Sequence, residues 1–128
     1  MSQPHAFRRA AEAKDLDLLR ETLYEDVVLH SPILFKGFEG REMAMIVLSN
    51  VIEVFEDFRY LDEVHGDDTV VLRFAAKVDG KYEIEGIDYL TLDDAGRVID
   101  LTVFLRPLSA VHAFNELMVA RLGAAPPA

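Results

Sequence analysis

The sequence predicts an α+β domain: a cone-shaped roll whose curved antiparallel sheet wraps around N-terminal helices, with an added C-terminal helix. Three observations predict it. Apolar residues recur at helical spacing early in the chain and again from Leu108 to Leu122. From Phe58 to Arg106 the apolar period shortens to two. Three turn signals then cut that stretch into four strands, which three hairpins would join into a meander.

The elements follow in order. Pro4 to Lys14 reads as a helix, and Asp15 N-caps a second from Leu16 to Tyr24 with Leu16, Leu19 and Leu23 on one face. Val27 to Ser31 is short and β-branched, and Pro32 halts its pairing, so it reads as a brief strand. After a loop through Phe35 to Gly40, the stretch from Arg41 to Asp57 is a strong helix. Ala44, Val47, Leu48, Val51 and Phe55 form its stripe, widened by Ile46, Ile52 and Val54. So wide a stripe suits a helix held by a concave sheet.

The strands read as 58–64, 69–78, 82–92 and 97–106. Their turns are His65-Gly66-Asp67-Asp68, Asp79-Gly80 and Asp93-Asp94-Ala95-Gly96, and Asp79-Gly80 carries the strongest hairpin signal because glycine accepts positive φ. Parity assigns the faces. Val70, Leu72, Phe74, Ala76 and Val78 share the inner face of one strand, and Ile99, Leu101, Val103 and Leu105 that of another. The strand between them turns Tyr82, Ile84, Gly86, Asp88, Leu90 and Leu92 inward, with Gly86 expected at a bulge or bend. One carboxylate therefore sits in an apolar row. Leu108 to Leu122 closes the chain as a helix, N-capped by Ser109 and stopped by Gly123.

With 128 residues and no internal repeat or linker, residues 1–122 are expected to form a single domain and 123–128 a flexible tail. A net charge of −10 opposes polyanions, so nucleic acid and membrane surfaces are not the expected partners. No cysteine is present, which excludes disulfides, thiolate chemistry and cysteine metal sites. Residues 1–15 lack the apolar run of a secretory leader and no segment has membrane-spanning length, so the expected location is cytoplasmic.

Several stretches resemble the nuclear transport factor 2-like superfamily, a cystatin-like α+β roll, and in particular its SnoaL-like and ketosteroid-isomerase-like group. They are Asp15-Leu16-Asp17, Glu25 to Pro32, Phe38-Glu39-Gly40-Arg41, Gly86-Ile87-Asp88-Tyr89 and Gly96-Arg97-Val98. The resemblance covers residues 5 to 107 and implies the fold more than any one activity, since that scaffold hosts isomerases, cyclases, dehydratases and binding proteins. Carried over residue by residue, the steroid isomerase's catalytic tyrosine falls at Phe7 and its general base at Ser31. Its oxyanion-hole aspartate alone keeps a counterpart, Asp88. The SnoaL-like cyclases, which use one aspartate as acid and base, are the nearer analogy.

Asp88 is accordingly the candidate catalytic residue, an acid whose apolar setting would raise its pKa. The competing reading is a buried structural carboxyl satisfied by backbone or by a tyrosine such as Tyr82. Phe7, Ser31, Phe55, Phe58, Tyr60, Phe74, Tyr82, Leu101 and Val103 are the candidate ligand-pocket residues, though large aromatics commonly just fill a core. Phe35 is a further aromatic that could reach the pocket. His30 and Ser31 alternate on a strand and so cannot pair as base and nucleophile. The four histidines are scattered, Glu63-Val64-His65 is the nearest to a metal pattern, and no phosphate-binding loop occurs, so neither a metal nor a cofactor is expected.

The sequence thus predicts a pocket for a small apolar molecule. It leaves open an isomerase, cyclase or dehydratase-type enzyme, a non-catalytic ligand binder, and a dimeric structural or adaptor protein. The outer face of the last two strands carries Ile87, Tyr89 and Phe104, too much apolar surface for a solvated sheet, and a homodimer through that face is expected.

Overall fold

The computed structural model describes residues 4–123. Its elements in chain order are α1 (Ala6–Ala13), α2 (Leu16–Thr22), β1 (Leu23–His30), β2 (Phe38–Glu39), α3 (Arg41–Val54), β3 (Glu56–His65), β4 (Thr69–Val78), β5 (Tyr82–Leu92), β6 (Val98–Arg106) and α4 (Leu108–Leu122). They form the α+β cone that the sequence predicts: a curved, unclosed sheet in the order β2-β1-β6-β5-β4-β3, with helices over its concave face. The meander β3 to β6 is antiparallel throughout. The sheet as a whole is mixed, because β1 joins β6 in parallel. Of the tail expected over 123–128, residues 124–128 lie outside the described ones.

Local chemistry explains the boundaries. His5 Nδ1 accepts the Phe7 N–H at 3.0 Å and so caps α1, while its Nε2 meets Gly96 O at 2.9 Å. With Nδ1 accepting, the ring proton belongs on Nε2. Asp15 caps α2 through Leu18 N–H, as expected. That helix stops at Thr22, short of Tyr24, where the buried hydroxyl bonds back to Leu19 O at 2.6 Å and Leu23 turns extended. β1 therefore starts four residues before the expected Val27. The expected loop from Phe35 to Gly40 contains β2, which pairs Phe38 with Leu29 and Glu39 with Val28.

α3 ends at Val54, not Asp57, because Phe55 leaves the helix for an aromatic cluster. Its ring lies 5.7 Å from Phe58, 5.6 Å from Phe74 and 5.3 Å from Phe114. Ile46, expected in the stripe of α3, faces solvent instead. α4 begins after Pro107 with no side-chain cap, so Ser109 lies inside its first turn and is not the N-cap.

In β4 the parity prediction holds, with Val70, Leu72, Phe74, Ala76 and Val78 all buried. In β6 a bulge opposite Thr91 and Leu92 shifts the register, so that Val98 and not Ile99 enters the core. Gly86 is no bulge, since its pairing with Phe74 and Leu105 is unbroken. Space is what demands glycine there: a Cβ would stand 2.2 Å from Phe104 O and 2.7 Å from the Phe74 ring. At the β4–β5 hairpin Asp79 and Gly80 both take positive φ, and Lys81 N–H donates to Val78 O at 3.2 Å.

Candidate functional site

Between the concave sheet and helices α1, α3 and α4 lies a cavity of about 300 Å³, at the lower end of the range typical of small-molecule sites. Its wall is apolar except at Asp88, Tyr60, Ser31, Asn115 and Lys14. Four expected pocket aromatics, Phe55, Phe58, Tyr60 and Phe74, reach it as one cluster rooted on β3, β4 and the α3–β3 junction. Phe7 lines it from α1, Val103 from β6 and Ser31 from the end of β1.

Two expected lining residues lie elsewhere. Leu101 is fully buried on the same face as Leu29 and Leu90, but it packs into the core and is not one of the residues that line the cavity. Tyr82 sits opposite Val78 at the β4–β5 hairpin, with Lys81 Nζ 5.1 Å over its ring, at the far end of the strand from the site. Phe35 also faces away and is fully exposed, while its neighbours Pro32, Ile33 and Leu34 cover the cavity. Ser31 holds that segment by accepting the Ile33 and Leu34 N–H groups at 3.3 and 3.1 Å.

Asp88 occupies the inner face of β5, paired with Leu72 on one side and Val103 on the other, and is 7% exposed. Among the described residues no cation pairs with it. The Tyr60 hydroxyl donates to Oδ2 at 3.1 Å, and no other described residue hydrogen-bonds the carboxyl. Burial pushes the Asp88 pKa up to about 7, and the Tyr60 hydrogen bond restrains that rise. The phenol is in turn driven well above its ordinary value, first by burial and then by the Asp88 charge. Near neutrality this pair therefore holds one exchangeable carboxyl proton beside a phenol that keeps its own.

A polar cluster backs the tyrosine. Arg8 lies 5.7 Å over the Tyr60 ring and reaches Glu63 Oε1 at 3.2 Å. Glu63 also accepts the His5 N–H at 3.0 Å and pairs with His65. Burial pushes the Glu63 carboxyl up, yet His5, His65 and Arg8 together hold it below the usual range. Glu63 and His65 do share a strand face, but as a hydrogen-bonded pair with Arg8. Among the described residues no three metal-ligating side chains converge. On the outer face His30 Nε2 meets Asp100 Oδ2 at 3.1 Å, away from the cavity that its neighbour Ser31 lines.

Residues 5–101 match the SnoaL-like domain family. The chain belongs to that family. This SnoaL-like domain is 36% identical to a steroid delta-isomerase from Pseudomonas aeruginosa, with a TM-score of 0.86 over 91% of this chain and 85% of that one. A bacterial protein with a cystatin-like fold from Silicibacter pomeroyi is 32% identical, with a TM-score of 0.86 over 91% and 82% of the two chains. An NTF2-like protein from Cytophaga hutchinsonii, 20% identical, shares the fold at a TM-score of 0.63 over 80% of this chain and 85% of that one. No curated protein matches the chain. No helix among the described residues is long and apolar enough to cross a membrane.

Sequence reasoning counted Tyr60 as a wall residue and missed it as the partner of Asp88. Parity offered only that Phe58 and Tyr60 share a face; the structure makes Tyr60 the one buried residue of β3. Lys14, at the end of α1, and Asn115, in the middle of α4, were missed altogether, because polar helix residues usually face solvent.

Proposed function

We propose that this SnoaL-like domain is a small acid–base enzyme of the isomerase, cyclase or dehydratase type, which moves a proton on an apolar metabolite bound in the cavity. The observation that carries this reading is Asp88, the one carboxyl on the cavity wall, desolvated and poised at about 7. A group whose pKa lies near the working pH serves as proton donor and acceptor with comparable ease. Neutral Asp88 would hydrogen-bond a substrate oxygen and deliver its proton there. The carboxylate left behind would take a proton from a neighbouring carbon, restoring the acid.

Tyr60 steadies Oδ2 through both states, since a phenol can donate to either form. The Ser31 oxygen already accepts two backbone N–H groups, which leaves its own proton free to donate to ligand. Phe7 and Ser31 stand where the steroid isomerase's tyrosine and base would fall, so one acid working in both directions fits this wall better than that three-group arrangement. The steroid delta-isomerase relative supports proton transfer at an apolar carbonyl compound as the reaction class.

The test is deuterium uptake from D2O into the carbons beside the carbonyl of 5-androstene-3,17-dione, used as an apolar ketone probe. Wild type should exchange faster than Asp88→Asn, with a rate that titrates near pH 7. Equal rates in the two proteins exclude acid–base use of Asp88. They would leave the second reading, a non-catalytic binder, which the lack of a second carboxyl or a histidine among the described residues of the cavity wall supports. A binder would show the ketone raising the melting temperature of both proteins equally. A structural or adaptor role with a filled core draws no support from about 300 Å³ of open volume.

A further inference from the structure

The cavity has two chemically different ends. Asp88 and Tyr60 form the buried one, beside the N-terminal part of α1, where Arg8 lies over the Tyr60 ring. Lys14, the C-cap of the same helix, is exposed and is the one cation on the cavity wall. It lies seven residues beyond Phe7, which at 1.5 Å per residue separates the ends of the wall by about 10 Å along the helix.

Lys14 and Ile52 also line a smaller surface depression of about 210 Å³, which adjoins the cavity and brings in Arg121 from the end of α4. Arg121 is oriented there by its Nε, which donates to Asn50 Oδ1 at 3.0 Å, so its terminal N–H groups remain available. Glu53 lines the same depression, giving two cations against one anion in a chain whose net charge is −10. Lys14 further holds a left-handed backbone, φ 54°, at a helix end where glycine or asparagine is usual. It forms no ion pair or side-chain hydrogen bond with another described residue.

We infer that the ligand is an amphipathic acid, bound with its carboxylate at Lys14 and Arg121 and its apolar body running inward to Asp88. The opposite orientation would set the ligand's charge against the Asp88 carboxyl in an apolar chamber with no cation, where burying it is strongly disfavoured. This inference rests on the cavity being a ligand site. It adds polarity and direction to the ligand, whether or not Asp88 performs chemistry.

The test compares dodecanoate with 1-dodecanol, matched in chain length and differing in charge, by calorimetric titration of the full chain at pH 8. Two exposed charge pairs are expected to favour dodecanoate about three- to tenfold. That preference should shrink as salt rises from 0.05 to 0.5 M. Lys14→Gln/Arg121→Gln should abolish it, bringing the dodecanoate-to-dodecanol affinity ratio to about one, and Lys14→Arg should keep it. No preference in wild type, or a preference that survives the double substitution, overturns the assignment of the charged end while the cavity still binds dodecanol. Binding of neither probe overturns it together with the ligand-site reading itself.

Discussion

Tyr60 on β3 and Asp88 on β5 are joined by a hydrogen bond of 3.1 Å although β4 runs between their strands. Phe74 of β4 pairs with Tyr60 on one side and with Gly86 on the other, so the phenol and the carboxyl meet above that strand on the concave face. Tyr60→Phe removes the donor that restrains the Asp88 pKa. The carboxyl should then titrate above its present value of about 7, and the lost buried bond should destabilise the fold by about 1 kcal/mol. Carboxyl-resolved NMR reads the titration, and an unchanged or lower midpoint contradicts the pairing.

Asp88→Asn separates stability from chemistry. Unfolded, the carboxyl titrates near 3.8, and in the native state at about 7, so the folded protein holds that proton more tightly. The Asp88 contribution to stability is therefore greatest below about pH 4, declines as pH rises towards 7, and levels off beyond it. Over that window the loss is at most about 4 kcal/mol. Asparagine cannot ionise and still accepts from Tyr60. The variant should gain on wild type between pH 4.5 and 8 in urea unfolding, while losing any turnover. Glu63, with its lowered pKa, works in the opposite direction but is common to both proteins. A stability difference that stays flat with pH would mean an Asp88 that ionises like an exposed one.

Gly86→Ala places a methyl 2.2 Å from Phe104 O and 2.7 Å from Phe74 Cζ. β6 must move away, which also disturbs Val103 on the cavity wall. Overpacking of this kind should destabilise by about 2 kcal/mol or more. Thermal unfolding within a degree of wild type would show that the backbones yield without cost.

Helix α4 closes the cavity through Phe114, 4% exposed and stacked 5.3 Å from Phe55. Phe114→Ala should destabilise by about 3 kcal/mol and enlarge the cavity. Removing residues 108–128 should lower the melting temperature further and alter uptake of hydrophobic dye. A truncated chain that melts and binds like the whole one would make the helix dispensable.

The outer face of β5 and β6 exposes Tyr89 by 42% and Phe104 by 55%. A second copy of the chain is proposed to cover them. Sedimentation at micromolar concentration should give a dimer for wild type and a monomer for Tyr89→Lys. A monomeric wild type removes the proposal.

Much of the fold was legible because it rests on local signals. Asp15 caps α2, the three turns delimit β3 to β6, and Asp88 shares a face with Ile84 and Leu90, all by spacing within one segment. The misreadings share a different origin. Phe55 ended α3 early to join rings from three other segments, and the bulge in β6 exchanged Ile99 for Val98 in the register against β5.

The same division governs the site. The sequence alone determined that one carboxyl lies in an apolar row, because alternation along a strand follows from backbone geometry. It could not say that Tyr60 is its partner, nor that Leu101 and Tyr82 miss the cavity, because parity reports a face and not a position along the cone. Nor could it bring Lys14 beside Arg121, 107 positions apart in the chain, on one depression. Sheet curvature and helix docking decided those distances. They depend on how all the apolar faces are buried at once, a property that no local stretch carries.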